Sequence, residues 1–278
     1  MGAHADKPEK LLVCTDGSEN SRAALAAALR LAKLGRVQVY LLQVVQIIPQ
    51  FEVAAPDLMA RISEEARTEL AATAAEVKKS GVAVEARLAH SVSVFSAIIK
   101  EAEAIQPDLI LMGRYGHTGL ARLLVGSVTA RVIGHSPCNV LVVPLGGTVA
   151  FERIMIASDG SPYSQAAFAA ALALARPRES QLLGVSVAPE EGDIPRAEEI
   201  IRQMLAAANR AGVPFQGLVP QGRPADDGII QAALRHAADL IVVGSHGRTG
   251  LKRLLMGSVT ERVIGQSPCA VLVVKNME

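Results

Sequence analysis

The sequence contains no tryptophan, and only three tyrosines and five phenylalanines among 278 residues. A core without large rings must be built from Ala, Leu, Ile and Val at close approach, which suits helices laid on parallel strands. Cysteine is also scarce. Cys14, Cys138 and Cys269 form no Cys-x-x-Cys pair and no His/Cys group at zinc spacing, so they read as small buried hydrophobes in a reducing compartment. Neither sign of charge is in excess, with 28 Lys plus Arg against 27 Asp plus Glu. No global field therefore draws the chain to nucleic acid or to an anionic membrane, and any phosphate must be held locally. The longest nearly uncharged hydrophobic stretch, Val37 to Ile48, is well short of the roughly 18 apolar residues of a spanning helix. Met1 to Lys10 is polar and charged, without the apolar run of a secretory signal. The expectation is a cytoplasmic protein that binds neither nucleic acid nor membrane.

Two nucleotide motifs are missing as well. Neither the lysine of a Gly-x4-Gly-Lys-Ser/Thr loop nor a Gly-x-Gly-x-x-Gly occurs, which argues against a P-loop motor and a dinucleotide oxidoreductase.

What the chain does have, it has twice. The segment from Pro107 to Val143 recurs from Ala238 to Val274, sharing Gly-x-x-Gly-x-Thr-Gly-Leu-x-Arg-Leu-Leu, then Gly-Ser-Val-Thr-x-Arg-Val-Ile-Gly, then Ser-Pro-Cys. The front ends correspond too, Leu11 to Ser18 with Ile154 to Ser161. In each copy a short apolar strand ends in Asp-Gly-Ser, and an Ala/Leu-rich helix follows, Ser21 to Leu34 or Ser164 to Arg176, with the serine as its cap. A second strand comes next, Val37 to Val45 or Gln181 to Val187. After a variable linker a second helix, Leu58 to Ser80 or Ala197 to Ala211, is closed by Gly81 or Gly212. A third strand lies near Val82 to Leu88 or Val213 to Leu218. A third helix leads to the strongest strand, Leu109 to Met112 or Leu240 to Val243. The last helix opens at Gly-Ser-Val-Thr, before a last strand from Val140 to Val143 or Ala270 to Val274. Uninterrupted aliphatic strands alternating with helices predict a doubly wound α/β domain made twice, each a parallel five-stranded sheet with helices on both faces. The boundary falls in Pro144 to Ala150, dividing residues 1–146 from 147–278.

In such sheets a ligand sits beyond the carboxyl ends of the strands, where strand order reverses. Asp16 and Asp159 stand there, suited to accept hydrogen bonds from a ribose or an adenine amino group, and equally at home as turn or cap residues. The loops after the fourth strands carry Gly113 and Gly116, or Gly244 and Gly247, where glycine permits close backbone approach and positive φ. After nine intervening residues beyond each second glycine come Gly126-Ser127-Val128-Thr129 and Gly257-Ser258-Val259-Thr260. Free N–H groups at these helix starts, with two hydroxyls and the helix dipole, make a site for phosphate oxygens.

Asp-Gly-Ser after the first strand, combined with Gly-x2-Gly-x9-Gly-Ser, resembles the universal stress protein family over nearly the whole chain. The resemblance implies strand order 3-2-1-4-5 and, as in the family's nucleotide-binding members, ATP or a related ADP or AMP, with Mg as a companion ion, between the first and fourth strands. It also implies ribose and adenine contacts from Asp16 and Asp159, and backbone bonds to adenine from Val44 in Leu-Leu-Gln-Val and Val185 in Leu-Leu-Gly-Val. Gly113, Gly116, Gly126, Ser127 and Val128, with Gly244, Gly247, Gly257, Ser258 and Val259, would surround ribose and phosphates. Pairing of family members through fifth strands implies that the two halves pair within one chain, with a homodimer as a further partner state.

Several features depart from that pattern. Ser91-Val-Ser93 replaces the more typical Gly222-Arg-Pro224. Arg114 stands where the second copy has Ser245, positioned to reach phosphate or to fold back over the pocket. The first half is twelve residues longer between its Asp and its glycine loop, the excess assigned to Gln46 to Leu58. His117 and His246 occupy different loop positions and read as surface histidines rather than a shared base. Arg122 and Arg253 match between copies and suit either phosphates or a solvated helix face. Since no general base or metal set recurs in both halves, the leading expectation is a nucleotide-binding regulatory protein. A slow ATP hydrolase and a protein-interaction scaffold are the alternatives.

Overall fold

The computed structural model describes residues 8–33, 35–116, 125–147, 149–247 and 256–275, the side chains of residues 52 and 53 excepted. The first half runs β1 (Lys10–Thr15), α1 (Glu19–Ala32), β2 (Gln38–Gln46), α2 (Pro49–Ala54), α3 (Pro56–Lys79), β3 (Ala83–Ser91), α4 (Val94–Ile105), β4 (Leu109–Gly113), α5 (Ser127–His135) and β5 (Asn139–Val143). The second runs β6 (Arg153–Ala157), α6 (Pro162–Ala175), β7 (Gln181–Val185), α7 (Ile194–Ala211), β8 (Phe215–Leu218), α8 (Ala225–Arg235), β9 (Leu240–Gly244), α9 (Ser258–Gln266) and β10 (Ala270–Val274).

All ten strands form one sheet in the order β3-β2-β1-β4-β5-β10-β9-β6-β7-β8. Each half is thus a doubly wound parallel sheet of order 3-2-1-4-5. The two join where β5 and β10 pair antiparallel, Val142 with Val271, Leu141 with Leu272 and Val140 with Val273. Alternate residues of each strand feed opposite faces. Leu11 and Val13 face the layer built on α1, α3, α6 and α7, while Leu12 and Cys14 face the layer built on α4, α5, α8 and α9. Alanines do the work that rings do elsewhere. Ala24, Ala27 and Ala28 of α1, like Ala167, Ala170 and Ala171 of α6, are buried against the sheet, and their small side chains let each helix axis approach it closely. The link between halves is drawn into the same core, with Val149 and Phe151 buried.

The first helices begin earlier than their sequence pattern predicts. Gly17 and Gly160, at φ +80° and +79°, turn the chain out of β1 and β6. Ser18 and Ser161 are then extended and accept from the N–H of Ser21 and Ser164, both at 3.3 Å. The caps are therefore Ser18 and Ser161, not Ser21 and Ser164. Ser21 and Ser164 instead donate back to the carbonyls of residues 18 and 161. The surplus between β2 and the second helix is not simply a linker, since it forms α2. In addition, β2 and β3 each run nine residues, and α3 runs 24 against 18 for α7. The differing triplets Ser91–Ser93 and Gly222–Pro224 both deliver a helix that starts at the next residue, Val94 or Ala225.

Candidate functional site

A crevice opens in each half where β1 and β4, or β6 and β9, part at the switch point of the sheet. The first, about 1200 Å³ counting its open mouth, gathers Asp16, Val44, Gly113 and Gly116 with Gly126, Ser127, Val128 and Thr129. The second, about 990 Å³, gathers Asp159, Val185, Gly244 and Gly247 with Gly257, Ser258, Val259 and Thr260. Apolar walls complete them, Leu42, Ile98 and Met112 in one, Ile229, Val187 and Val243 in the other.

Each aspartate serves two surroundings at once. Asp16 Oδ1 accepts from Ser18 N–H at 3.1 Å and from the Ser18 hydroxyl at 2.6 Å, closing an Asx turn. Its Oδ2 faces Gly116, so near that a Cβ there would stand 2.7 Å away. Asp159 repeats this, with Oδ1 on Ser161 N–H at 3.0 Å and Oδ2 against Gly247. The carboxylate is thus a turn former on one side and a crevice wall on the other.

The loop glycines owe their identity to close approach, and none of them lies at positive φ, contrary to the sequence expectation. A Cβ on Gly113 would come within 2.8 Å of the Asn20 backbone, and one on Gly244 equally near that of Tyr163. These two glycines let the first helix lie against the fourth strand. The positive angles fall instead at Gly17 and Gly160.

Gly126 and Gly257 cap α5 and α9 in extended conformation and, as glycines, bring no capping side chain of their own. Each capping glycine donates its own N–H across the loop, Gly126 to the Arg114 carbonyl at 3.0 Å and Gly257 to that of Ser245 at 2.9 Å. The helix N-termini that follow, with first-turn N–H groups that have no intrahelical partner and with positive dipole ends, belong to residues that line the crevices. The two hydroxyls divide their labour. Thr129 and Thr260, both buried, donate to the carbonyls of Gly113 and Gly244 at 3.1 and 2.9 Å, fastening helix to strand. Ser127 and Ser258 stand exposed at the mouth.

Strand register corrects one equivalence. Leu11 pairs with Val39 and Ile154 with Leu182, so the counterpart of Val44 is Val187, and that of Val185 is Leu42. Both valines named from sequence line their crevices, but at different depths. The Val185 carbonyl already accepts from Ser158 N–H at 2.9 Å.

Arg114 turns away from its own crevice. It crosses the seam between halves, donating from Nη1 to the Gly265 carbonyl at 3.0 Å and from Nη2 to that of Ser267. Burial holds its guanidinium below the ordinary value. Lys275 answers from the other half, with Nζ on the carbonyls of Ile133 and Gly134 at 2.9 and 3.0 Å. His246, expected on the surface, is half-buried and lines the second crevice. Its ring centroid lies 5.3 Å from that of Tyr163, and Nδ1 is 3.2 Å from Ser245 Oγ. Tyr115 holds the same loop position in the first crevice. The available signal was the shared position, one residue before the second glycine. His117, Arg122 and Arg253 lie outside the described residues. Cys14, in the wall of the first crevice, has its thiol pushed up to about 12 by burial and then by the nearby Cys138 and Asp16. Among the described residues no group of three or more His, Cys, Asp or Glu could hold a metal ion, and no helix is long and apolar enough to cross a membrane.

The sequence profile of the universal stress protein family matches this chain twice, at residues 8–144 and 150–275. A universal stress protein of Mycolicibacterium smegmatis is 30% identical over 288 residues, covering 95% of this chain and 96% of the relative. One from Mycobacterium tuberculosis is 28% identical over 300 residues, covering 97% and 99%. The crystal structure of a universal stress protein from Archaeoglobus fulgidus superposes with a TM-score of 0.79 at 23% identity, covering 99% of this chain and 98% of that one, which speaks to the fold.

Proposed function

The chain belongs to the universal stress protein family, and from that premise we propose that it is an adenine-nucleotide-binding regulatory protein with ATP as the preferred ligand of both crevices. The observation that carries this reading is the twofold recurrence of one arrangement: an aspartate on one lip and, on the other, a helix start capped by a glycine, which brings no side chain to its first amides. The amides and helix dipole favour phosphate oxygens. The aspartates suit ribose hydroxyls, and the apolar floor of Leu42, Ile98 and Met112, with its second-half equivalents, suits a flat base. In this reading the valines supply backbone contacts to adenine, with Val187 added as the counterpart of Val44. Any Mg would be carried by the phosphates.

Binding rather than turnover is assigned, because what recurs in both crevices is a cradle and a single carboxylate. The two halves, divided at 146/147, act as an internal pair through β5 and β10, and the protein works in the cytoplasm. Purified protein heated with and without millimolar ATP tests the reading. At a hundredfold excess over Kd, occupancy adds about 2.7 kcal/mol, a rise of roughly 5–10 °C for domains of this size. The combined Asp16→Ala and Asp159→Ala substitutions should abolish the rise. An unshifted transition, together with no adenine nucleotide released on denaturation, would refute the assignment.

A further inference from the structure

The crevices share a template but differ, among other positions, at the lining residue just before the second loop glycine: Tyr115 in the first and His246 in the second. His246 is positioned from several sides. The Tyr163 ring of α6 packs on it at 5.3 Å, Ser245 Oγ lies 3.2 Å from Nδ1, and a Cβ on Gly257 would come within 3.4 Å of its Cα. That last contact places the histidine against the turn that opens α9. In the first loop the neighbouring cation, Arg114, is turned away across the seam.

We propose that His246 sets the ligand preference of the second crevice, its protonated form adding a cation beside the phosphate cradle so that polyphosphate is held more tightly as pH falls from 8 to 6. This rests on the nucleotide reading above and deepens it. A histidine side chain gains a positive charge on taking up a proton, whereas a tyrosine in the same place gains none. The surrounding charges are mixed. The Asp159 carboxylate faces Gly247 next door, and Arg196 of α7 donates to the Asp159 carbonyl at 3.3 Å. Glu261 lies in the first turn of α9, and Asp226 of α8 is paired with Arg262 of α9. Arg248, Lys252 and Arg253 follow in the sequence. Against this background, an anionic ligand stabilises the imidazolium, so binding at the second crevice takes up a proton.

Titration calorimetry with ATP on the full chain tests the idea, with Asp16→Ala reporting the second crevice and Asp159→Ala the first. The titration of the nucleotide itself is common to both. Between pH 8 and pH 6, affinity at the second crevice should rise about threefold to tenfold more than at the first. Heats measured at pH 7 in buffers of different ionisation enthalpy should show proton uptake at the second crevice beyond that at the first, and adding His246→Gln should remove the difference. Equal pH dependence of the two crevices, or an excess uptake that survives His246→Gln, would overturn the proposal while leaving nucleotide binding intact. Absence of any binding heat at every pH would overturn both.

Discussion

Arg114 hydrogen-bonds the carbonyl of Gly265, a residue in the last turn of α9 on the other side of the central seam. Lys275 makes the opposite crossing to the end of α5. Two cations that are not equivalent in sequence thus each satisfy carbonyls, and the negative dipole end, of the final helix of the other half.

Replacing Arg114 by Ser, the residue of the second loop, should therefore destabilise the chain by about 1–2 kcal/mol, as the loss of charge-assisted bonds partly offset by relief of burial. Urea denaturation should show a lowered midpoint with unchanged slope. A midpoint equal to that of the parent would show that the crossing contributes nothing net.

Gly116→Ala drives a methyl toward Asp16 Oδ2, which stands 2.7 Å from the Cβ position. The carboxylate must move, and it forms one lip of the crevice. Loss of roughly tenfold in ATP affinity is expected with a stability change below about 1 kcal/mol, because the strain relaxes into an open space. Calorimetry alongside urea melts separates the two quantities.

Thr129→Val keeps the shape of the side chain but deletes the donor to the Gly113 carbonyl. A buried acceptor loses its partner, at about 1–2 kcal/mol. Thr260→Val should cost a similar amount through Gly244, and the paired measurement checks that the threonines fasten helix to strand.

The thiols give a pH dependence of definite sign. Burial first of all raises Cys14 from an ordinary 9.0 to about 12, and Cys138 and Cys269 from 9.0 to about 11. Above pH 9 the unfolded chain releases thiol protons that the folded chain retains. Their contribution is fully present below pH 9 and is lost as pH rises toward 11 and 12, at up to about 1.4 kcal/mol per pH unit for each thiol. Denaturation at pH 8 and pH 10 should show this decline, and Cys14→Ala should make it shallower.

Much of the architecture was legible because the chain repeats itself and because strands buried on both faces must be aliphatic throughout. All the glycines, aspartates and helix-start residues named from the motif do meet in two crevices. The errors have physical causes. Val44 was matched to Val185 through look-alike tetrapeptides, and a slip of two along a strand leaves every side chain on its own face, so periodicity has no power to detect it. The serines at 21 and 164 passed as caps because a cap and a residue three places on can both be serine. The destination of Arg114 depends on which strand of the other half lies beside β5, information that no local pattern contains. His246 reads as a surface histidine because the first copy has its histidine, His117, at a different loop position, whereas the structure places His246 in the lining of the second crevice, where the first has Tyr115.

The antiparallel seam between β5 and β10 has a geometric corollary. Strands on its two sides run in opposite directions, so the mouths at their carboxyl ends open toward opposite poles of the molecule. A flat surface laid over one mouth therefore leaves the other uncovered.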